Sequence, residues 1–348
     1  MEEQEQNSTS KKKSLSETYD KYYKLLLLIP LALLIFSFIY MGFFYSANHD
    51  FIYKDVSLTG GTSATISGAI DIPKLNEVLT GKLIDFNTRD ISDLITGEQK
   101  AVIVETKSSP EETKKILEEY LGYELTSENS SFEFTGASLS QSFYLQLILA
   151  IIFAFTFMGV VIFFLFGEKF SQKIILLIVS LIVPVLFLSK VLSINTSLIS
   201  ALVIFLATMF FYIKGNMPSF AVKISAFADI LMTLVVVNLF GMKLSSAGII
   251  AFLLLIGYSV DTDILLTNRV LKRHGPVNEK IFGAFKTGIT MALTSLLAVL
   301  SALFVVRTFS STLTQIFTIL SIGLMFDILN TWLTNASLIK WYVEKTGK

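Results

Sequence analysis

The sequence predicts a bundle of about eight membrane-spanning helices carrying one small α+β, ferredoxin-like domain outside the cytoplasm, and three observations lead there. Hydrophobic residues fill 53% of the 348 positions against 16% charged, with a mean hydropathy of +0.65, more apolar surface than a water-exposed globule can cover. Apolar runs nearly free of charge recur at the length of ~20 residues that crosses a bilayer core of ~30 Å. One polar stretch, residues 47–142, interrupts them and carries about twice as many Asp and Glu as Lys and Arg.

The runs are Leu25–Ser46, Phe143–Phe166, Ile174–Leu188, Thr196–Ile213, Phe220–Phe240, Ser245–Leu271, Ala284–Val306 and Leu313–Trp341. Lys11, Lys12, Lys13, Lys21 and Lys24 precede the first, which is too long for a signal peptide and lacks a small-residue cleavage site. Those lysines place the N-terminus in the cytoplasm. Alternating spans then put Lys169, Lys173, Lys214, Lys223, Lys272, Arg273, Lys280, Lys345 and Lys348 on the same side, with Lys190, Lys243 and Arg307 in short outer loops. A multi-pass protein of the cell membrane with both termini cytoplasmic is the expectation. The chain divides into a cytoplasmic tail (1–24, of which Met1–Ser16 reads as solvated), a first span (25–46), an external domain (47–142) and a second span (143–169). An apolar hairpin (170–215), the remaining bundle (216–341) and a short cytoplasmic tail (342–348) follow.

Within the external stretch, alternation and capping signals predict strands at Ser63–Ile66, Leu83–Asn87, Ala101–Glu105 and Phe132–Phe134, with helices at Pro73–Leu79 and Pro110–Leu121. Two short helices among four strands point to a ferredoxin-like sandwich. Gly60-Gly61 lacks the spacing of a phosphate-binding loop and reads as a turn or strand bend.

The chain has no cysteine, which excludes disulfides and thiol chemistry. His49 and His274 fall on opposite sides of the membrane, so no shared metal site is expected. Walker, HExxH and GxSxG patterns are missing, so nothing points to ATP hydrolysis, to a soluble enzyme, or to a cofactor. What remains is ionisable residues at bilayer depth, where a charge costs several kcal/mol and needs a partner, a wet cavity or a role. Asp229, Asp261, Asp263 and Asp327 lie inside spans, with Arg269, lower in the sixth run, and Lys286, at the cytoplasmic entry of the seventh, as their expected partners. Helical spacing puts Asp261 with Asn268 on one face and Asp263 with Thr267 on another. Thr287, Thr290 and Thr294 form a hydroxyl stripe on the seventh run, and Asp327, Asn330 and Thr334 one on the eighth. These seams serve either as interhelical glue or as a proton or ion pathway. Four carboxylates are an extravagant way to obtain packing, which favours the pathway.

Four stretches resemble the SecF family, the smaller membrane subunits of SecD–SecF protein-export complexes, and through it the resistance-nodulation-division transporters. Leu58-Thr59-Gly60-Gly61-Thr62 is similar to the family's double-glycine motif. Ile256-Gly257-Tyr258-Ser259-Val260-Asp261-Thr262-Asp263, continuing to Arg269, resembles the family's fourth span in its archaeal form. Pro218–Phe220 with Ser225–Ile230 resembles its third span with a buried aspartate, and Lys286–Met291 its fifth-span entry. The resemblance implies a subunit that pairs with a SecD-like chain beside a SecY-type channel, sits among membrane lipid, and assists export of secretory polypeptides at the expense of the proton motive force. It implies no ATP, cofactor or nucleic acid. The implied proton relay or polar network comprises Asp229, Asp261, Asp263, Arg269, Lys286, Thr287, Thr290 and Asp327. The family has six spans, so 170–215 reads as an added hairpin. Bacterial members carry Asn-Asp-Thr where this chain has Asp261-Thr262-Asp263, so their proton route is not carried over residue by residue. The alternatives are a small-molecule or lipid exporter of the wider superfamily and a non-transporting structural subunit.

Overall fold

The computed structural model describes residues 17–93, 96–307 and 310–347. Eight helices are long and apolar enough to cross a membrane. In chain order these are α1 (Glu17–Asn48), α5 (Ala137–Phe166), α6 (Phe170–Leu188), α7 (Ile194–Gly215), α8 (Met217–Leu239), α9 (Ser246–Lys272), α10 (Val277–Val306) and a final helix, Ser311–Thr346. The final helix comprises α11 (Ser311–Asn330), a π turn (Thr331–Asn335) and α12 (Ala336–Thr346). Each predicted run coincides with one of these helices, with only Phe240 and Ser245 falling one residue outside, and every helix extends beyond its run at one end or both. The Ser193 cap, which accepts from the Thr196 amide, lies beyond what hydropathy alone detects.

The α8, α9 and α11 helices pack against one another as the centre, with α5 and α1 beside α8. The α6–α7 hairpin rests on α5 and α8 and exposes much of its length. Only 11% of the apolar window of α10 is buried, against 61% for α8, so one side of the bundle is open along α10.

Between α1 and α5 the chain forms α2 (Val56–Thr59), β1 (Gly61–Ser67), α3 (Ile72–Leu79), β2 (Asn87–Ser92), β3 (Gln99–Thr106), α4 (Pro110–Leu121) and β4 (Ser130–Thr135). The sheet order is β2-β3-β1-β4 with every neighbour antiparallel, the ferredoxin-like split βαβ arrangement. Sequence chemistry explains the helices. Asp71 caps α3 with a proline in its first turn, and Ser109 caps α4 through the Glu112 amide before Pro110 and two glutamates, ending at Gly122 with φ 74°. Ala64, Ile66, Val102 and Val104 alternate inward onto Leu75, Leu79 and Leu117.

The strand expected at Leu83–Asn87 is displaced: β2 begins at Asn87, and Asp85 takes a left-handed turn at φ 46°. Leu83 and Phe86 are apolar because they plug the domain core from that turn. The real strand is polar because it is an edge.

Gly60 and Gly61 make a close crossing. A Cβ on Gly60 (φ 84°) would stand 2.5 Å from the Ala137 Cα, and one on Gly61 (φ 142°) 2.3 Å from the Thr106 oxygen. The double glycine therefore lets β1 start directly against the root of α5.

The domain is bonded to the bundle at the α8–α9 turn. Lys54 and Leu244 form a parallel β-bridge, in which the Leu244 amide donates to Tyr53 (2.6 Å) and the Asp55 amide to the Leu244 carbonyl (3.0 Å). The Ser246 amide donates to the Ser57 hydroxyl (3.0 Å), and Lys243 reaches Asp85 (3.0 Å), which also holds Lys107 (2.8 Å). Gln315, in the first turns of α11, donates to the Lys243 carbonyl (2.7 Å) and accepts from the Ser245 amide (2.9 Å). Asp55 caps α2 through the Ser57 amide, and burial pushes its carboxyl upward. The first residues of α9 are thus continuous with the domain.

Candidate functional site: a buried carboxylate cluster

Asp229, Asp263 and Asp327 come from α8, α9 and α11 and meet in the buried centre of the bundle, each no more than 1% exposed. Small residues help the helices meet: on the α9–α11 seam a Cβ on Gly248 would stand 2.5 Å from the Gln315 side chain, and one on Gly323 2.2 Å from that of Leu255. Each carboxyl is met by neutral donors. The Ser259 hydroxyl donates to Asp229 Oδ2 (2.5 Å) and the Asn330 amide to Oδ1 (2.6 Å). The Asn335 amide donates to Asp263 Oδ1 (2.9 Å), where the Ser225 hydroxyl also donates (3.3 Å). Thr331 donates to Asp327 Oδ1 (3.2 Å), with Thr262 at 3.5 Å from Oδ2. Thr334 supports the set by donating to Asn330 Oδ1 (3.2 Å). Among the described residues no cation bonds to any of the three.

That finding corrects the expected counter-charges. Arg269 is half-buried lower on α9 and donates to the Gly283 carbonyl, and Lys286 is exposed on α10. Asp261 is exposed too, because two residues along a helix turn it roughly 200° from Asp263. It lines a cleft of about 470 Å³ with Asn268, Arg269, Lys272, Arg273 and Met291. Of the four expected seams, three converge and the one on α10 does not. Thr287, Thr290 and Thr294 each donate to the carbonyl four residues back, and the last two are exposed. In the fourth-span motif Ser259 is buried at Asp229, whereas Gly257 and Tyr258 face outward.

Ser225, Thr262, Thr331 and Asn335 are members that sequence reasoning missed. Asn335 had no helical signal, since five residues at 3.6 per turn put it about 140° from Asn330. Lys223, expected at the cytoplasmic surface, is instead fully buried.

The family model for the C-terminal part of SecD/SecF protein export membrane proteins matches residues 184–345. The chain is 34% identical to the protein-export membrane protein SecF of Methanocaldococcus jannaschii, over 93% of this chain and 97% of that protein. It is 31% identical to the SecF of Methanolacinia petrolearia, over 93% and 95%. The chain belongs to the SecF family of protein-export membrane proteins. Among solved structures it is similar to the translocon-associated membrane protein SecDF from Thermus thermophilus, with a TM-score of 0.59 at 16% identity. That match covers 93% of this chain but 38% of the SecDF chain, so the likeness is one of fold and spans about two fifths of the larger protein. A SecF-family chain with these eight helices is a multi-pass membrane protein.

Proposed function

We propose that this chain pairs with a SecD-like subunit and assists the passage of secretory polypeptides through a SecY-type channel, with Asp229, Asp263 and Asp327 carrying the coupling to the proton gradient. One observation carries the reading: three carboxyls share a buried interior with neutral donors alone, on spans whose outer turn is hydrogen-bonded to the external domain. Three full negative charges cannot be held there together without cations, because desolvation and mutual repulsion both oppose it. Gaining and losing a proton is therefore the cheapest change the cluster can make. A change at Asp263 travels along α9 to Ser246 and the Lys54–Leu244 bridge, and so to the sheet domain that faces the emerging chain.

The open side of the bundle is the place for the SecD-like partner. Asp261 and Asn268 on α9, with Lys286, Thr290 and Thr294 on α10, are polar groups on a face that lipid tails cannot solvate. A protein surface with complementary donors and carboxylates can, and there Arg269 and Lys286 serve as counter-charges. In this arrangement both termini are cytoplasmic, and the sheet domain lies outside the cell membrane.

Asp229→Asn and Asp263→Asn are expected to lower export of secretory reporters while leaving membrane insertion and copurification of the partner intact. Unchanged export in both variants removes the proton relay and leaves a structural subunit. Affinity purification in mild detergent is expected to bring down a SecD-like chain and channel subunits. Recovery of a homo-oligomer with a bound hydrophobic ligand would instead indicate an exporter of small molecules or lipids.

A further inference from the structure

The last span departs from α-helical register at the carboxylate cluster. The Ala336 amide donates to the Thr331 carbonyl, five residues back, so Thr331–Asn335 is a wide turn containing one residue more than an α turn. The extra residue brings Asn330 and Asn335 to the same interior, where Asn330 holds Asp229 and Asn335 holds Asp263. In continuous α-helix the two would diverge by about 140° and one carboxyl would lose its amide.

Asn335 is also the place where the donors and acceptors do not balance. Its Nδ2 donates to the Asp263 backbone carbonyl (3.2 Å), to Oδ1 of the same residue (2.9 Å) and toward the Thr267 hydroxyl (3.3 Å). A backbone carbonyl only accepts, so the amide nitrogen must face it, and the orientation of the amide is fixed. That leaves Asn335 Oδ1 with no donor, and Asp263 Oδ2 without a well-formed hydrogen bond among the described residues, since the Thr331 hydroxyl beside that carboxyl donates to Asp327 Oδ1; both are on side chains with no solvent exposure. Two bare acceptors on a bonded pair in a buried interior are costly. One proton removes both deficits: placed on Asp263 Oδ2, it is donated to Asn335 Oδ1 and closes a two-bond acid–amide ring. The other titratable groups facing Asp263 are Asp229 from α8 and Asp327 from α11, both acidic, so no neighbouring cation competes for the role.

We propose that Asn335, brought into the cluster by the π turn, is the positioning residue for the proton-bearing form of Asp263, pairing with it as an acid–amide ring that opens when the proton leaves. Ionised Asp263 would present a bare Oδ2 to a bare amide oxygen, and the repulsion drives Asn335 out of the pair. The wide turn is the part of the span best able to take up that movement, because one residue is already out of register. Immediately beyond it, Lys340 on α12 is tied to Asp20 of α1 and Asn278 of α10, so a shift at Asn335 reaches three helices at the end of the bundle away from the sheet.

This rests on the cluster being a proton carrier, but the pairing itself is read from spectra, and export serves only to separate its failure from that of the proposed function. The full-length chain in lipid nanodiscs is examined by infrared difference spectroscopy over a pH titration. At neutral pH the wild type is expected to show a carboxylic-acid carbonyl band, lowered in frequency by hydrogen bonding, that is lost in Asp263→Asn. Asn335→Leu is expected to shift that band to the higher frequency of an unbonded acid, and Asn335→Thr, which retains an oxygen acceptor, to return it toward the wild-type position. A merely structural role for Asn335 would change thermal stability and leave the band in place. No band attributable to Asp263, or a band unmoved in folded Asn335→Leu, overturns the pairing. Should Asn335→Leu not accumulate, Asn335→Ala adds no bulk and carries the same expectation. Should neither accumulate, the wild-type frequency decides, a free-acid value overturning the ring. Altered export in Asp263→Asn with no ring band sinks the pairing alone, and a ring band with normal export in Asp229→Asn and Asp263→Asn sinks the export role alone.

Discussion

Asp229, Asp263 and Asp327 sit in the shared interior of α8, α9 and α11, whereas Lys223 is buried one face away on α8, at the seam with the α6–α7 hairpin, and the two burials are met by different chemistry. The carboxyls receive directional bonds from hydroxyls and amides on several helices. Among the described residues the Lys223 Nζ has one acceptor, the Thr208 hydroxyl at 2.9 Å, and otherwise lies over the rings of Phe205 (4.6 Å) and Tyr212 (4.8 Å). Gly159 of α5 makes room, since a Cβ there would stand 3.2 Å from Nζ and 3.0 Å from the Tyr212 hydroxyl. A ring face attracts a cation without requiring a particular orientation or a change in protonation. Donor networks, in contrast, must rearrange when a proton arrives. On the proposed function, the difference separates a part that would switch from a part that fastens: the cluster is a donor network able to take up a proton, and the aromatic cage packs the α6–α7 hairpin against the bundle.

The largest effect that sharpens this contrast is expected from Tyr212→Ala. It removes a buried ring and half of the cage, at about 3–5 kcal/mol. The result to be measured is a lower detergent melting temperature and protease cleavage in the hairpin, with the Asp263 acid band unaltered. A moved band would show that the hairpin is part of the switch. Next in size is Asn330→Leu, which leaves Asp229 with Ser259 alone and Thr334 without its acceptor, costing about 1–3 kcal/mol in melting experiments. Here the acid bands should move, and a silent spectrum would break the assignment of the cluster as one network. Smaller again is Lys223→Met. Loss of the cation–π attraction and relief of burying an ion nearly offset, so stability should change by no more than about 1–2 kcal/mol in either direction. A loss equal to that of Tyr212→Ala would mean that the charge, not the rings, holds the hairpin.

The two regions also differ in how far they were legible. Hydropathy located every span because bilayer thickness constrains length and composition strongly, and the capping residues of α3 and α4 marked their own helices. Asp229, Asp263 and Asp327 were legible as charges that lipid does not tolerate. Their partners were not, because Ser225 and Thr262 are common residues in spans and only packing distinguishes them. Asn335 was hidden by a register change that periodicity at 3.6 residues cannot represent. Lys223 was misplaced because the positive-inside rule counts lysines near span ends and carries no information about an aromatic cage supplied by a different helix. The same limit displaced β2, where Leu83 and Phe86 are apolar for a turn's reasons and not a strand's.

The smallest expected effect concerns how the cluster's movement would reach the sheet domain. Asp85 lies where the domain meets the α8–α9 turn, and Lys107 first, then Lys243, hold its carboxyl below the ordinary value of 3.8. A carboxyl lowered on folding stabilises the docked state fully above its ordinary pKa, and that contribution is lost as pH falls below 3.8 through the lowered value. The group is nearly half exposed, so solvent screening limits its worth to under about 1 kcal/mol. Protection of the Leu244 amide, which donates to Tyr53 across the bridge, taken relative to the intrinsic exchange rate at each pH, should therefore fall slightly more on acidification in the wild type than in Asp85→Asn, where docking is weaker at neutral pH and flatter with pH. Equal pH profiles in the two proteins would show that the backbone bridge alone holds the domain. The link from α9 to the sheet would then not depend on charge, unlike the carboxylate cluster at its other end.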